Sequence, residues 1–326
     1  MKAPDFWSSS DGGAAAFLLR PASWLYEIGT GIRNALAGPA WQAPIPVICV
    51  GNVTAGGAGK TPVALDLGQR LRDQGRAVHF LSRGYGGTEH GPLRVEPERH
   101  LSNEVGDEPL LLAQIAPTWV ARDRAAGIKC AVDAGAEAVV MDDGFQNPSV
   151  AKDLSILVVD GGFGFGNGHI LPAGPLRERP QSALTRAQAA VIIGADETGV
   201  EPALSAALAF FRARTVSARP VADVPAHQPW LAFAGISRPE KFFATLRESG
   251  HQIAETRNFP DHHPYSAADL VDLRNRAAGL QARLITTEKD WVRLGPEARN
   301  DIETLTITLQ WDDEAALNLM LTALFD

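Results

Sequence analysis

The sequence predicts an α/β fold, in which a large and mostly parallel β-sheet is flanked by helices and followed by a second, smaller α/β lobe. From residue 45 onward, apolar runs of strand length alternate with segments of helical pattern. The runs 138–141 and 155–159 lack the polar alternation of a half-exposed strand, so they indicate strands buried on both faces. The chain length of 326 residues exceeds what one core usually serves, which favours two lobes.

The pattern divides the chain into three consecutive segments. These are an N-terminal amphipathic segment at 1–41, a main domain at 42–220 and a smaller lobe at 221–326, with a Pro- and Arg-rich hinge at 213–229. In the main domain the strands are predicted at 45–50, 77–82, 118–121, 137–142, 154–160 and 189–194, and the helices at 61–74, 107–116, 123–135 and 199–212. In the smaller lobe the strands are predicted at 230–234, 252–258 and 283–286, and the helices at 239–250, 266–280 and 313–325.

The N-terminal segment is rich in aromatic residues and contains one apolar helical face. After Pro21, a favourable first-turn residue, helical spacing places a set of large side chains on one side: Trp24, Leu25, Ile28, Ile32 and Leu36. Two alternatives follow. The face packs against the core of the same protein, or it lies in a membrane interface or against acyl chains.

Composition excludes several classes of function. The formal net charge is −8 and there is no long basic run, which argues against nucleic acid as a partner. No apolar stretch is long enough for a spanning helix, and the first residues lack a signal-peptide pattern. Cys49 and Cys130 have no metal-ligand neighbours at a suitable spacing, so we expect small buried side chains in a reducing compartment.

A glycine-rich loop between the first strand and the first helix of the main domain predicts a phosphate-binding site. Glycines allow backbone N–H groups to approach phosphates, and the helix N-terminus adds partial positive charge. Lys60 would contact the β- and γ-phosphates, and the Thr61 hydroxyl would bind Mg²⁺. The pattern departs from the usual P-loop at Thr54, where glycine is expected. The predicted ATP-binding residues are Thr54, Ala55, Gly56, Gly57, Ala58, Gly59, Lys60 and Thr61.

The strand predicted at 137–142 ends in two carboxylates, Asp142 and Asp143. Downstream of a P-loop, such a strand end is typical of the site that holds Mg²⁺ directly or through water. Taken alone, paired acids at a strand end could also form an ordinary turn. Together the two motifs predict a P-loop NTPase-like domain that binds ATP and Mg²⁺.

Further polar clusters follow other predicted strands, where a parallel sheet places its ligands. Each has a structural alternative: Arg83 could lie in a solvated loop, Asp107 could be a helix N-cap, and Lys289 could be a surface charge. The loop at 171–178 contains glycine and proline, and a loop of this kind is more often functional than a plain connection between elements. His262 follows Asp261, an arrangement that suggests a proton relay.

These blocks, in this order, resemble the tetraacyldisaccharide 4′-kinase family of lipid A biosynthesis. The resemblance runs from about residue 20 to the C-terminus, and it includes the threonine at position 54. The matching blocks are Gly51–Pro62, Ser82–Gly86, Gly106–Pro109, Asp142–Gln146, Leu171–Glu178, Phe233–Ile236, Phe259–Tyr265 and Thr287–Asp290. This chain departs from the family pattern at Asn147, where the family usually has histidine.

The resemblance implies transfer of the γ-phosphate of ATP to the 4′-hydroxyl of a tetraacylated glucosamine disaccharide 1-phosphate, forming lipid IV-A. It implies that Asp107 and His262 act as a pair on the acceptor hydroxyl and that Lys60 completes the catalytic set. Residues expected to bind substrate are Asn52, Arg83, Glu108, Gln146, Arg177 and Glu178. For the N-terminal segment the resemblance implies association with the inner membrane, so we expect a peripheral enzyme on its cytoplasmic face. It implies no obligate protein partner.

Two other functions remain as alternatives. A membrane-docked P-loop ATPase that acts as a positioning switch typically carries a second lysine just before the Gly-Gly-x-Gly-Lys-Thr run, and this chain has Ala55 there. A small-molecule kinase of cofactor metabolism would leave the aromatic N-terminal segment unexplained.

Overall fold

A computed structural model describes residues 4–9, 12–217 and 228–326. The strands are β1 (Val47–Gly51), β2 (Val78–Ser82), β3 (Leu93–Arg94), β4 (Thr118–Val120), β5 (Ala138–Asp142), β6 (Leu154–Asp160), β7 (Ala189–Ile193), β8 (Ala209–Ser217), β9 (Trp230–Ala234), β10 (Ile253–Asn258), β11 (Arg283–Thr287), β12 (Ile302–Leu305) and β13 (Ile307–Trp311). The α-helices are α1 (Gly13–Leu36), α2 (Lys60–Asp73), α3 (Ser102–Val105), α4 (Asp107–Leu112), α5 (Arg124–Asp133), α6 (Pro180–Leu184), α7 (Glu201–Ser205), α8 (Pro239–Glu248), α9 (Ala267–Gly279), α10 (Glu288–Trp291) and α11 (Glu314–Thr322). Two short 3-10 helices cover Asp5–Trp7 and Ala298–Asp301.

A nine-stranded sheet forms the larger domain, in the order β13-β8-β7-β6-β1-β5-β2-β4-β3. Strands from β8 to β4 pair in parallel, and only the outermost pairs, β13 with β8 and β3 with β4, are antiparallel. Every residue of β1, β2, β5, β6 and β7 is buried, as the apolar runs in β5 and β6 predict for those two strands. The predicted fold class is confirmed.

A second, all-parallel sheet of four strands follows in the order β10-β9-β11-β12. Its central strand β9 is buried along its whole length, with Trp230 and Ala232 in one apolar core and Leu231 and Phe233 in another. Helix α8 contributes to the first core, and α9 contributes to the second. Because alternate residues of a strand point to opposite faces, helices on both sides are needed to bury this sheet.

Two predicted helices of the larger domain are wrong in part. The helix predicted at 199–212 is only the short α7, after which β8 extends the sheet beside β7. In β8 the side chains of Phe211 and Ala213 are buried and that of Arg212 is exposed, so strand pairing overrides the helical pattern. The helix predicted at 107–116 ends at Leu112, and the chain then turns tightly toward β4.

The last segment of the chain returns to the larger domain, in contrast to its predicted place in the smaller lobe. Strand β13 pairs with β8, and Leu317 and Leu321 of α11 lie in the core that contains Val63 and Leu67. The helix predicted at 313–325 therefore packs against the larger sheet. Strands β3, β12 and β13 were not predicted. The predicted boundary between residues 220 and 221 lies outside the described residues, and the predicted hinge at 213–229 is strand β8 up to Ser217.

Helix α1 starts at Gly13, well ahead of the first turn predicted at Pro21, which lies inside the helix. It contacts the larger domain through few side chains: the Ser23 hydroxyl donates to the Ile170 carbonyl (2.7 Å), and Glu27 pairs with Arg179. Ala16 is buried and Tyr26 packs against the core, but most of the large apolar residues of α1 do not. The set is 56–80% exposed and comprises Phe17, Leu18, Trp24, Leu25, Ile28, Ile32 and Leu36. Within the described ranges, no helix is long and apolar enough to cross a membrane.

Candidate active site

The glycine-rich loop joins β1 to α2, as predicted. Gly56 and Gly59 have φ angles of 121° and 86°, in the region that favours glycine, and α2 begins directly afterwards at Lys60. Gly51 at the end of β1 is in close contact with Phe145, since a Cβ added there would lie 2.3 Å from the Cβ of that residue. The loop is therefore built against the turn that follows β5.

Asn52, predicted to bind substrate, forms hydrogen bonds inside the loop. Its side chain is buried; Nδ2 donates to the Thr54 carbonyl (2.8 Å) and to Thr54 Oγ1 (3.1 Å). Its Oδ1 accepts from Lys60 Nζ at 3.2 Å. Thr54, at the position where P-loops usually carry glycine, is thus a hydrogen-bond partner of the residue that positions the lysine.

Thr61 and Asp142 come together as the metal prediction requires. The Thr61 hydroxyl donates to Asp142 Oδ2 (2.9 Å), while Asp142 Oδ1 is buried without a hydrogen-bond partner. Burial raises the pKa of Asp142 to about 7, although Lys60 and the Thr61 hydroxyl favour its ionised form. A buried carboxylate oxygen without a partner fits a cation, because a cation would supply the charge that the protein leaves out.

No group of three or more His, Cys, Asp or Glu side chains forms a metal cage in the described part of the chain.

Asp143 has different surroundings from its neighbour. Its φ angle is +56°, and its carboxylate accepts two hydrogen bonds from Arg177 Nη1 (3.0 and 3.2 Å) and lies 3.7 Å from Lys60 Nζ. Burial works against its ionisation, but Lys60 and Arg177 outweigh burial and lower the pKa of Asp143. The charge of Asp143 is already neutralised by protein cations, whereas that of Asp142 is not.

The loop at 171–178 packs directly on the glycine-rich loop. The N–H of Ala55 donates to the Pro175 carbonyl, and that of Arg177 donates to the Val53 carbonyl, both at 2.7 Å. Gln146 Nε2 donates to the Asn52 carbonyl (2.7 Å) and to Glu178 Oε1 (3.1 Å). The predicted substrate-binding residues Gln146, Arg177 and Glu178 therefore lie together beside the predicted ATP-binding residues.

Asp107 and His262, which are remote in sequence, are in direct contact. Asp107 is the first residue of α4, and His262 follows β10 of the smaller sheet; Nδ1 of His262 lies 2.7 Å from Asp107 Oδ2. Burial alone would raise the pKa of Asp107, but hydrogen bonds from His262 and Arg293 hold the pKa below its ordinary value. A carboxylate kept ionised beside a histidine can accept a proton.

The two remaining predicted substrate-binding residues, Glu108 and Arg83, differ in their surroundings. Glu108 pairs through Oε1 with Lys289 Nζ at 2.7 Å, so Lys289 is not a free surface charge. Burial would lower the Lys289 pKa, but Glu108 outweighs burial and raises it. Arg83 is exposed and makes no hydrogen bond or ion pair within the ranges that the structure describes. The loop that follows Arg83 lies against the start of α4, since a Cβ added at Gly106 would lie 2.7 Å from the Tyr85 carbonyl oxygen.

The sequence prediction missed Arg293. Its guanidinium is 2% exposed and lies between Asp107 of the larger domain and Asp290 of the smaller sheet. The one signal that could have found it is its spacing, four residues after Lys289, which places both cations on the same side of the turn that begins with α10.

Comparisons with known proteins agree with this geometry. The family model described as "Tetraacyldisaccharide-1-P 4'-kinase" matches residues 15–326. The tetraacyldisaccharide 4'-kinase of Gluconacetobacter diazotrophicus is 52% identical over 326 residues, which are 100% of this chain and 99% of that protein. The kinase of the same name from Rhodospirillum centenum is 51% identical over 329 residues, covering 99% and 97% of the two chains.

A solved structure with the same fold extends the comparison. LpxK from Aquifex aeolicus in complex with ATP superposes with a TM-score of 0.76 at 27% identity, over 95% of this chain and 99% of that one. The sheet order, the phosphate-binding loop and the match along almost the whole sequence lead to one conclusion: this chain belongs to the tetraacyldisaccharide-1-P 4'-kinase family.

Proposed function

We propose that the protein transfers the γ-phosphate of ATP to the 4′-hydroxyl of a tetraacylated glucosamine disaccharide 1-phosphate, the reaction that gives lipid IV-A. The observation that carries the proposal is the contact of Asp107 with His262 in a chain of this family that also holds a P-loop. The P-loop supplies a donor site, and the Asp107–His262 pair supplies a group that can accept a hydroxyl proton.

On the donor side, Lys60 and the backbone N–H groups of residues 56–61 bind the triphosphate, while the Ala55 N–H is bonded to the Pro175 carbonyl. Thr61 and Asp142 are the residues that would hold Mg²⁺, with Asp143 close by in an ion pair with Arg177. When bound, Mg²⁺ would neutralise phosphate charge. Because phosphoryl transfer depends mainly on positioning and charge, the work of these side chains is to fix the γ-phosphate for in-line attack.

On the acceptor side, Asp107 takes the proton of the attacking hydroxyl as the new O–P bond forms. The carboxylate is too weak a base to remove that proton beforehand, since an unperturbed Asp has a pKa of about 3.9 and a sugar hydroxyl is far less acidic. His262 holds the carboxylate by the 2.7 Å contact and shares the developing charge. The bound sugar is expected to lie beside Gln146, Arg177 and Glu178.

The exposed apolar side of α1 supports work at a membrane surface. A substrate with several acyl chains stays in the bilayer, since each buried CH₂ contributes about 0.8 kcal/mol. Seven large apolar side chains of α1 face solvent, and a helix of this kind can lie in the interface plane. We infer a peripheral position on the cytoplasmic face of the inner membrane.

The decisive experiment is ATP-dependent phosphorylation of the acylated disaccharide 1-phosphate by pure enzyme in detergent micelles with Mg²⁺. We expect a product phosphorylated at the 4′ position. Hydrolysis of ATP without transfer would instead support the ATPase switch.

Substitutions on α1 test the membrane position separately. Leu25→Glu with Ile28→Glu is expected to reduce vesicle binding about 100-fold or more, because each lost side-chain burial is worth about 1.5–3 kcal/mol. Both positions are exposed, so the fold and activity toward micellar substrate should survive. Vesicle binding that is unchanged would place the anchor elsewhere.

A further inference from the structure

Arg293 connects the two sheets at the point where the proposed general base lies. Its Nη1 donates to the Gly235 carbonyl and to Asp290 Oδ1, both at 2.7 Å and both in the smaller domain. Its Nε donates to Asp107 Oδ2 (2.8 Å), and its Nη2 lies 2.7 Å from the same oxygen. One buried side chain therefore ties the start of α4 to the turn after β9.

The contact with Asp107 is one-sided. An arginine usually pairs with a carboxylate through two parallel bonds, one to each oxygen. Here two nitrogens of Arg293 approach Oδ2, and Nδ1 of His262 lies 2.7 Å from that oxygen as well. Within the described part of the chain, Oδ1 of Asp107 makes no hydrogen bond, and it is not among the side-chain atoms that are buried without a partner.

We propose that Arg293 is a positioning residue for phosphoryl transfer: it fixes the carboxylate of Asp107 through Oδ2 and thereby presents Oδ1 to the acceptor hydroxyl. This inference rests on the proposed role of Asp107 as the general base. In the step, the acceptor oxygen bonds to the γ-phosphorus while the bond from that phosphorus to ADP breaks. The hydroxyl proton passes to Asp107 Oδ1, so atoms and charge balance.

The groups that bind Arg293 in the smaller domain are themselves held by hydrogen bonds. Asp290 is fully buried and accepts from the Gly235 N–H (3.0 Å), the Tyr265 hydroxyl (2.8 Å) and the Thr287 hydroxyl (2.6 Å). The Gly235 carbonyl also accepts from the backbone N–H of His262 at 3.1 Å. Arg293 and His262 thus share one anchor, and both reach the same oxygen of Asp107.

The charges around Asp107 come from four elements. The titratable groups that face Asp107 or its two partners are His262, Arg293, Lys289, Glu108, Asp290, Asp261, Tyr85 and Tyr265. Although burial opposes ionisation, His262 and Arg293 lower the pKa of Asp107. A lower pKa makes Asp107 a weaker base. The contribution of Arg293 is therefore to keep the carboxylate ionised and to fix its orientation.

The test compares Arg293→Met and Arg293→Lys in the full chain, assayed in micelles across pH. We expect Arg293→Met to lower kcat about 10- to 100-fold with little change in KM for ATP, since misplacement of a reacting group costs about this much. Loss of the cation should also raise the pKa of Asp107, so the acidic limb of the pH profile of kcat moves to higher pH. Arg293→Lys keeps the charge. It should therefore retain part of kcat, and the acidic limb of its pH profile should lie close to that of the wild type.

Arg299 provides a matched control in the same domain. Its guanidinium donates to the carbonyls of Leu294 and Val292, both at 3.0 Å, and stacks on Trp291, without contact to Asp107. Arg299→Met should lower thermal stability and leave the pH limb in place. An Arg293→Met enzyme that behaves in the same way as Arg299→Met, with an unmoved limb, would overturn the inference.

A double-mutant cycle with Asp107→Asn distinguishes the positioning role of Arg293 from the general-base role of Asp107. If Arg293 acts through the charge of Asp107, Arg293→Met should cost less than about threefold in kcat in the Asp107→Asn background, because coupled residues are not additive. Fully additive losses would overturn the positioning role. Asp107→Asn alone with near-normal kcat would refute the general base itself, which is a different result. If Arg293→Met does not fold, the partial kcat loss of Arg293→Lys is measured instead, since a loss that acts through Asp107 must vanish in the Asp107→Asn background.

Discussion

Asp142 on the donor side and Asp107 on the acceptor side are both buried, but the protein compensates the charge of only one of these carboxylates. Asp142 has one hydrogen bond, from Thr61, and one buried oxygen without a partner; burial raises its pKa to about 7. Asp107 is also buried, but bonds from His262 and Arg293 lower its pKa. The donor carboxylate lacks a charge that a bound cation can provide, whereas the acceptor carboxylate is compensated by the protein.

The two sides also differ in where their residues come from. The donor side is built from neighbouring segments of the larger sheet, and the loops at 51–61, 142–146 and 171–178 contact one another directly. The Asp107–His262 pair of the acceptor side forms only where the segment after β10 of the smaller sheet meets α4. A local motif can therefore specify the donor side, but the acceptor side depends on the packing of two sheets.

Replacement of the proposed base should have the largest effect. Asp107→Ala is expected to lower kcat by about 10²–10⁴ while KM for ATP barely changes, because the donor side is assembled without it. Steady-state kinetics in micelles, with ATP and acceptor varied separately, provide the measurement. Near-normal turnover would remove Asp107 from the mechanism.

Lys60→Met tests the donor side in the same assay. We expect a loss of about 10²–10³ in kcat, the usual cost of removing one group that stabilises developing charge, together with weaker ATP binding. Lys60 is bonded to Asn52 and lies near Asp143, so the acceptor pair should be unaffected. A variant with unchanged ATP affinity and turnover would contradict the donor assignment.

A matched pair of glycine-to-alanine substitutions tests whether the donor and acceptor sides are independent. A Cβ at Gly51 would lie 2.3 Å from the Phe145 Cβ, and one at Gly235 would lie 3.0 Å from Asp290 Oδ1. We expect each alanine to lower the free energy of unfolding by about 1–3 kcal/mol, as overpacking does, with the larger loss at Gly51.

The kinetic effects of these two alanines should separate. Gly51→Ala should raise KM for ATP, and Gly235→Ala should lower kcat with KM for ATP nearly unchanged. Denaturant titration and kinetics on the same preparations check both. If the two variants alter the same kinetic parameter, the donor and acceptor sides are not independent.

The smallest effect is expected from the helix cap beside the His262 segment. Ser266 caps α9 in a capping box with Asp269, and Ser266→Ala should lower the free energy of unfolding by about 1 kcal/mol at pH 7. Bonds from Ser266 and His263 lower the pKa of Asp269 from 3.8 to about 2. The stabilisation is therefore present above pH 3.8 and is lost as pH falls toward 2. Urea titrations at pH 7 and pH 3 should show the gap between wild type and variant narrowing on acidification, with kcat at pH 7 unchanged.

The sequence was sufficient for the parts of the site with local periodicity. The strands β1 and β5, the start of α2, and the pairing of Thr61 with Asp142 follow from an apolar run, a glycine pattern and a terminal carboxylate. Arg293 could not be predicted in this way, because its partners Asp107 and Gly235 lie 186 and 58 residues away. Residues 209–212 of β8 were predicted as the end of a helix and 213–217 as part of a hinge, because this strand is decided by pairing with β7 and β13.

The return of the chain to the larger sheet has a mechanical consequence. The smaller sheet, β9 to β12, is inserted between β8 and β13, and these two strands pair with each other in the larger sheet. A lobe attached at both ends can rotate about the line through its two attachments, but it cannot swing freely as a lobe on one linker does. The double attachment therefore limits the directions in which His262 can move away from Asp107.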